Sequence, residues 1–136
     1  MIFNILSVFR ELIKPSLKYG VLSKAIKKNK IKVNIFSYSD YLNDGDRLDD
    51  KQFGGEPGMV IKYQNASRAI NAIKKSNPKT KVIFLTPKGK KLDNNLAKEM
   101  SKMGNISIIC GRYEGSDERI IDQYSDLEVS IGDYIV

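Results

Sequence analysis

Residues 81–89 read KVIFLTPKG. Positions 82–85 are apolar with no polar alternation, and a threonine, a proline and a glycine then turn the chain. A strand with one wet face alternates, whereas an unbroken apolar run suits a strand buried on both faces of a parallel sheet. Residues 106–110, ISIIC, repeat the signal and also end in a glycine turn. Outward from these two, 2–9 (IFNILSVF), 31–37 (IKVNIFS) and 127–131 (LEVSI) read as further strands. Between the strands, Val21, Leu22, Ala25 and Ile26 share one helical face, and so do Ala66, Ala69, Ile70 and Ile73. A third helix is predicted over 92–102 and a fourth from Asp117 onward. The predicted class is α/β: a mostly parallel sheet with helices on both faces, in one domain over 1–136.

The 136 residues carry 23 Lys+Arg against 16 Asp+Glu, a net charge of +7 that favours an anionic partner such as nucleic acid. Lysine, asparagine and isoleucine are also over-used along the whole chain, as an A+T-rich genome would produce without selection for binding, and both readings stand. Cys110 is the sole cysteine, so there is no internal disulfide and a reducing cytoplasm fits. The apolar start is too short for a signal peptide or a membrane span. The absence of histidine excludes Ser–His and Cys–His catalysis and histidine metal sites within this chain.

Ligands of open parallel sheets bind beyond the carboxyl ends of the strands. Three strands here end in turns that combine a glycine with groups able to hydrogen-bond or stack: LTPKG (85–89), CGRYEG (110–115) and SIGDY (130–134). Asp117 and Glu118 occupy the helix start after the second turn, and with Glu114 they would repel phosphate. Neither GxGxxG nor GxxxxGK[ST] is present. A neutral or cationic ligand with an adenine ring suits the loop; alternatively, Asp117 simply caps the helix, Arg112 pairs with an acid and Tyr113 is partly core. The long charged loop 43–58 ends in glycines that let backbone approach a flat ligand, with Arg47 and Lys51 available to phosphates, or else it is a β-turn connection.

Taken together, YGVLSKAIKKNKI, DDKQFGGEPGM, LTPKGKKLD, ICGRYEGSDERI and SIGDYIV, in that order, resemble the bacterial tRNA (guanine-N1)-methyltransferases of the knotted SPOUT superfamily. The resemblance runs from Met1 to Val136. It implies S-adenosylmethionine bound by Leu85, Thr86 and Pro87, by Gly111, Tyr113 and Glu114, and by Ile131, Gly132, Asp133, Tyr134, Ile135 and Val136. Glu114 would also support the sulfonium or hold Mg²⁺. Asp50, Gly54, Gly55, Pro57, Gly58 and Met59 would accommodate the target guanine of a tRNA, in a cytoplasmic homodimer with no membrane association. Departures from the family pattern are Glu56 in place of a third glycine, Ser116 in place of an apolar residue, Arg10 in place of a proline and Lys88 in place of a glutamine. The family continues past the position of Val136 with the knot-completing segment, its general base and a tRNA-binding domain, so the resemblance implies a truncated methyltransferase domain. The implied function is methylation of guanine N1 at the tRNA position 3′ of the anticodon, as part of a longer protein. The alternatives are a truncated non-catalytic remnant or RNA-binding module, and an unrelated nucleotide-binding α/β domain.

Overall fold

The computed structural model describes residues 1–51, 59–111 and 117–134, and of 49–51, 59 and 60 the backbone alone. Five parallel strands form the main sheet in the order β2-β1-β6-β5-β7. They are β1 (Ile2–Ser7), β2 (Lys32–Ser37), β5 (Lys81–Lys91), β6 (Asn105–Ile109) and β7 (Leu127–Ser130). Two short strands, β3 (Asp49–Lys51) and β4 (Met59–Ile61), pair antiparallel apart from it. The helices are α1 (Arg10–Ile13), which runs on into a 3₁₀ turn at Lys14–Lys18, α2 (Gly20–Lys27), α3 (Tyr63–Ser76), α4 (Asn94–Ser101) and α5 (Glu118–Tyr124).

The apolar run of β5 is split by the pleat between two cores, because successive side chains point to opposite faces. Val82 and Phe84 join Leu6, Ile109 and the buried faces of α3 (Ala66, Ala69, Ile70, Ile73) and α5 (Ile120, Tyr124). Ile83, with Leu85 beside it, packs on the other face with Ile106, Val129 and Leu96 of α4. Helices therefore cover both faces, as the lack of alternation requires. Each fully buried Ile or Phe contributes about 1.5–3 kcal/mol of apolar transfer.

Polar side chains cross the sheet as well. Asn34 Nδ2 donates to Asn4 Oδ1 at 2.9 Å, and Asn4 Nδ2 donates to Asn105 Oδ1 at 3.0 Å and to Ser107 Oγ at 3.3 Å. Ser107 Oγ in turn lies 2.7 Å from Thr80 Oγ1. Asn4 is opposite both Asn34 and Ser107 in the register, so the chain of bonds links β2, β1 and β6 and reaches the entry to β5.

Three local expectations change in detail. β5 runs to Lys91, well past the expected end at residue 86, and α4 starts at Asn94 because Asp93 caps it, accepting from Leu96 N at 2.8 Å. The charged loop 43–58 contributes β3, whose pairing with β4 the sequence pattern does not show. Val21 and Leu22 share a helical face, yet they are 82% and 47% exposed, while the one buried residue of α2 is Ser23.

Candidate functional site

β6, β5 and β7 lie side by side and parallel, and the turns after β5 and β7 come together beyond their carboxyl ends. At β7 the chain makes an unusual crossing. Val129 has both Leu85 and Lys90 as partners, so residues 86–89 pass across β7 and the end of β5 pairs with it a second time. The crossing occurs at Gly89. A Cβ there would lie 2.4 Å from Val129 N and 2.6 Å from the carbonyl carbons of Glu128 and Val129. No side chain fits in that space. Leu92 N then donates to Ser130 O at 2.8 Å.

The crossing shapes a cavity of about 210 Å³ between Leu85, Thr86 and Pro87 on one side and Val129, Ser130, Ile131, Gly132 and Tyr134 on the other. Among the described residues the lining is mostly apolar and contains no charged side chain. Gly132 adopts φ +156, and a Cβ there would meet the Tyr134 ring at 2.4 Å, so the turn around that aromatic needs glycine. Ser130 Oγ donates to Gly132 O at 3.0 Å and accepts from Gly132 N at 3.3 Å, which tightens the same turn.

Ion pairs tie the end of β5 to its neighbours. Lys91 Nζ is 2.7 Å from Asp133, joining the end of β5 to the third turn. Lys88 Nζ is 2.9 Å from Glu118, joining the first turn to the start of α5. Hydrogen bonds donated to these carboxylates hold both ammonium groups above their ordinary pKa, although the lysines are exposed. Asp117 caps α5, accepting from Arg119 N at 3.0 Å and from the Arg119 guanidinium at 2.7 Å. The bond from Arg119 lowers the Asp117 carboxyl pKa. The capping role expected of Asp117 is thus seen. Arg119 also stacks over Tyr63 at 4.8 Å, fixing α5 against α3.

The structure brings Leu85, Thr86, Pro87, Ile131, Gly132 and Tyr134 to one cavity. Asp133 stands outside its lining, engaged with Lys91, and Gly111 is exposed at the end of β6. Arg112, Tyr113, Glu114, Ser116, Ile135 and Val136 lie outside the described residues, as do Gly54, Gly55, Glu56, Pro57 and Gly58. Asp50 and Met59 fall in β3 and β4, opposite Val60 and Lys51. The flanks of that loop are anchored, since Lys62 N donates to Leu48 O at 3.0 Å and Asn65 Nδ2 to Arg47 O at 2.8 Å. Val129 is a cavity wall that nothing in the sequence marks, because it sits within an ordinary-looking strand, and Ser130, the first residue of the SIGDY turn, lines the cavity beside it. Among the described residues no group of three or more Cys, Asp or Glu is arranged to hold a metal ion. Burial raises the Cys110 thiol pKa, so it stays protonated at neutral pH and is no nucleophile.

Comparison with known proteins covers the same residues. The family described as tRNA (Guanine-1)-methyltransferase TrmD matches residues 1–136. Proteins named tRNA (guanine-N(1)-)-methyltransferase are 43% identical over 135 residues in Vibrio cholerae, covering 98% of this chain and 55% of that protein. The Thermosipho africanus protein is 42% identical over 137 residues, covering 100% of this chain and 55% of its own length. The chain thus spans little more than half the length of these relatives. A crystal structure of tRNA (m1G37) methyltransferase from Aquifex aeolicus superposes with a TM-score of 0.91 at 38% identity, covering 100% of this chain and 62% of that one. With the fold, the crossing turns and the sequence match all extending over the same residues, the chain belongs to the tRNA (guanine-1)-methyltransferase TrmD family.

Proposed function

We propose that residues 1–136 form the cofactor-binding methyltransferase domain of an enzyme that methylates N1 of guanosine 37 in tRNA, the position named for the Aquifex aeolicus relative. The observation that carries this reading is the mostly apolar cavity between the Leu85, Thr86, Pro87 turn and the Ile131, Gly132, Tyr134 turn. Its fit to S-adenosylmethionine is chemical. An apolar slot with an aromatic edge takes an adenine ring, and among the described residues no lysine or arginine lines it to oppose a cationic sulfonium.

When bound, S-adenosylmethionine supplies an electrophilic methyl group, whose bond to sulfur breaks as guanine N1 donates its electron pair. The chain's contribution is positioning. Leu85 and Val129 wall the slot, and Gly132 holds the Tyr134 turn against it. The Lys91–Asp133 and Lys88–Glu118 pairs hold the first turn to the third turn and to the start of α5. No covalent protein intermediate is required, consistent with a protonated Cys110 and a chain without histidine. By resemblance the base that takes the N1 proton lies beyond Val136, and Glu114 supports the sulfonium or Mg²⁺.

We also assign the target guanine to the loop whose flanks β3 and β4 join, and a second copy of the chain to the apolar surface of Leu12, Tyr19 and Val21, which are 75%, 75% and 82% exposed. Among the described residues no helix is long and apolar enough to cross a membrane, and a cytoplasmic location is proposed with the tRNA substrate.

The test is transfer of labelled methyl from S-adenosylmethionine to tRNA carrying guanosine at position 37, with an adenosine variant as control, alongside calorimetric binding of S-adenosylmethionine. Binding that is lost in Ile131→Asp supports the reading. Absence of S-adenosylmethionine binding by the wild-type protein refutes it.

A further inference from the structure

The net charge of this protein is not spread over it. Residues 12–39 contain seven lysines, Lys14, Lys18, Lys24, Lys27, Lys28, Lys30 and Lys32, and no aspartate or glutamate. Removing these seven from the 23 basic residues leaves 16, which equals the number of acids in the rest of the chain. The whole excess of +7 therefore sits between the 3₁₀ turn that follows α1 and the first residue of β2. A genome-wide lysine bias does not produce this, because it would add lysine among acids as readily as away from them.

Five of the lysines, 24 to 32, are packed into a small volume. α2 ends at Lys27, Lys28 caps it, and Asn29 takes φ 54 to fold the chain back. Lys30 N then donates to Ala25 O at 2.9 Å and Lys32 N to Met1 O at 2.9 Å. All five lysines are exposed, and among the described residues none of them has an ion pair. Favourable interaction with the helix dipole accounts for Lys24, Lys27 and Lys28 at the end of α2. It does not account for Lys30 and Lys32, which lie past the helix. These two flank an open hollow of about 560 Å³ at the amino ends of β1 and β2, with Met1, Ile2 and Asn29 on its wall. Lysines 24, 27 and 28 repel one another at the i,i+3 and i,i+4 spacings, which is unfavourable for folding unless an anion is present.

From this charge distribution we infer that the Lys24–Lys32 face is an RNA-phosphate surface, separate from the cavity at β5 and β7. β2 and β7 are the two edges of the sheet, four strand spacings or about 19 Å apart, and the hollow is at the amino ends whereas the cavity is at the carboxyl ends. A polynucleotide touching this face is gripped well away from the base that reacts. Lysine contacts to phosphate position without reading sequence, so the surface binds RNA bodies of many sequences. The inference builds on the reading of tRNA as substrate, and its test does not need methyl transfer.

The experiment compares the wild-type protein with two variants, each losing five exposed lysines to glutamine. One is changed at Lys24, Lys27, Lys28, Lys30 and Lys32, and the other at Lys75, Lys79, Lys81, Lys98 and Lys102. Equilibrium binding of unmodified tRNA and of a plain RNA duplex is measured across a salt series, with anionic vesicles as a separate arm. Each lost phosphate contact lowers the slope of log K against log salt by about 0.9 for a duplex. The first variant is expected to bind at least tenfold more weakly at about 100 mM salt, with a slope reduced by roughly 2 or more, while the second stays within about threefold. Equal loss in both variants would mean diffuse attraction and overturns the inference. So does unchanged binding in the first variant, no RNA binding by the wild type, or binding of vesicles alone. Unaltered thermal midpoints exclude misfolding, and S-adenosylmethionine binding is expected to be unaffected in the first variant. If RNA binding behaves as expected while S-adenosylmethionine binding and methyl transfer are absent, the methyltransferase reading fails and this surface stands.

Discussion

Gly89→Ala examines the crossing at β7 directly. The added methyl would sit 2.4 Å from Val129 N, against an ordinary contact of about 3.5 Å, so β7 and the crossing segment must separate by about 1 Å. The obstructing atoms are backbone, which cannot swing aside as a flexible side chain can. A shift of that size stretches the bond from Leu92 N to Ser130 O, 2.8 Å long in the native state, beyond useful length. Overpacking costs about 1–3 kcal/mol, and a lost hydrogen bond adds about 0.5–1.5 kcal/mol. Reduced freedom of the unfolded chain returns about 0.4–1 kcal/mol. The net expectation is destabilisation by about 1–3 kcal/mol, a fall in Tm of roughly 4–12 °C for a chain of this size. With seven tyrosines and no tryptophan, urea unfolding is followed by circular dichroism and tyrosine fluorescence. Gly104→Ala is the comparison. Its φ of +77 makes alanine strained but nothing lies within 4 Å, so it carries only the backbone cost of about 1 kcal/mol and leaves the cavity intact. Gly89→Ala, by displacing Val129, is expected also to weaken S-adenosylmethionine binding. A Gly89→Ala protein within about 0.5 kcal/mol of wild type and with unchanged ligand affinity would refute the close crossing.

Tyr134→Ala removes the aromatic edge of the cavity and is expected to weaken S-adenosylmethionine binding about 5- to 100-fold by calorimetry, in the range of a lost base–aromatic stack, with little change in Tm. Asn4→Ala removes the Asn4 partner of Asn34, Asn105 and Ser107 and is expected to lower the urea-derived stability by about 1–3 kcal/mol. Asp117→Ala loses the α5 cap, about 1 kcal/mol at neutral pH. Because the folded Asp117 pKa is lowered, its contribution is present above the unfolded value of about 3.9 and fades as pH falls through the folded one. Stability curves of the variant and wild type should therefore converge below about pH 4, and a constant gap down to pH 2 would contradict the assignment. Cys110 is expected to react with a thiol reagent at neutral pH much more slowly than in the urea-unfolded chain, because burial keeps the thiol protonated.

Much of the fold is legible in residues 82–85 and 106–109. Runs without alternation can only be satisfied by apolar layers on both sides, and α3, α4 and α5 supply them. The cavity is legible in part, because Leu85, Thr86, Pro87, Ile131, Gly132 and Tyr134 all sit in glycine turns that end strands. What the sequence hides is long-range. Nothing local in TPKGKK tells that Lys90 and Lys91 return to pair with Val129 and Ser130, since a proline, a glycine and three lysines read as a loop. Val129 and Ser130 become cavity walls only through that return. Val21 and Leu22 show the opposite limit: helical spacing identifies a shared apolar face, but not whether the chain's own residues cover it. The concentration of charge in α2 is visible in sequence only when acids are counted by region instead of over the whole chain.

The polar chain from Asn34 through Asn4 to Ser107 and Thr80 has a further consequence for accuracy of assembly. β1, β2 and β6 all carry apolar branched or aromatic side chains around a central polar position, so apolar matching alone would tolerate their sliding past one another by two positions. A slide of one residue would turn Asn4 to the face opposite Asn34 and Ser107, and a slide of β2 by two would set it against Lys32 or Phe36, in either case without its bond to Asn34. The asparagines therefore act as an alignment key, which rejects misthreaded sheets at the moment of collapse more than it strengthens the correct one.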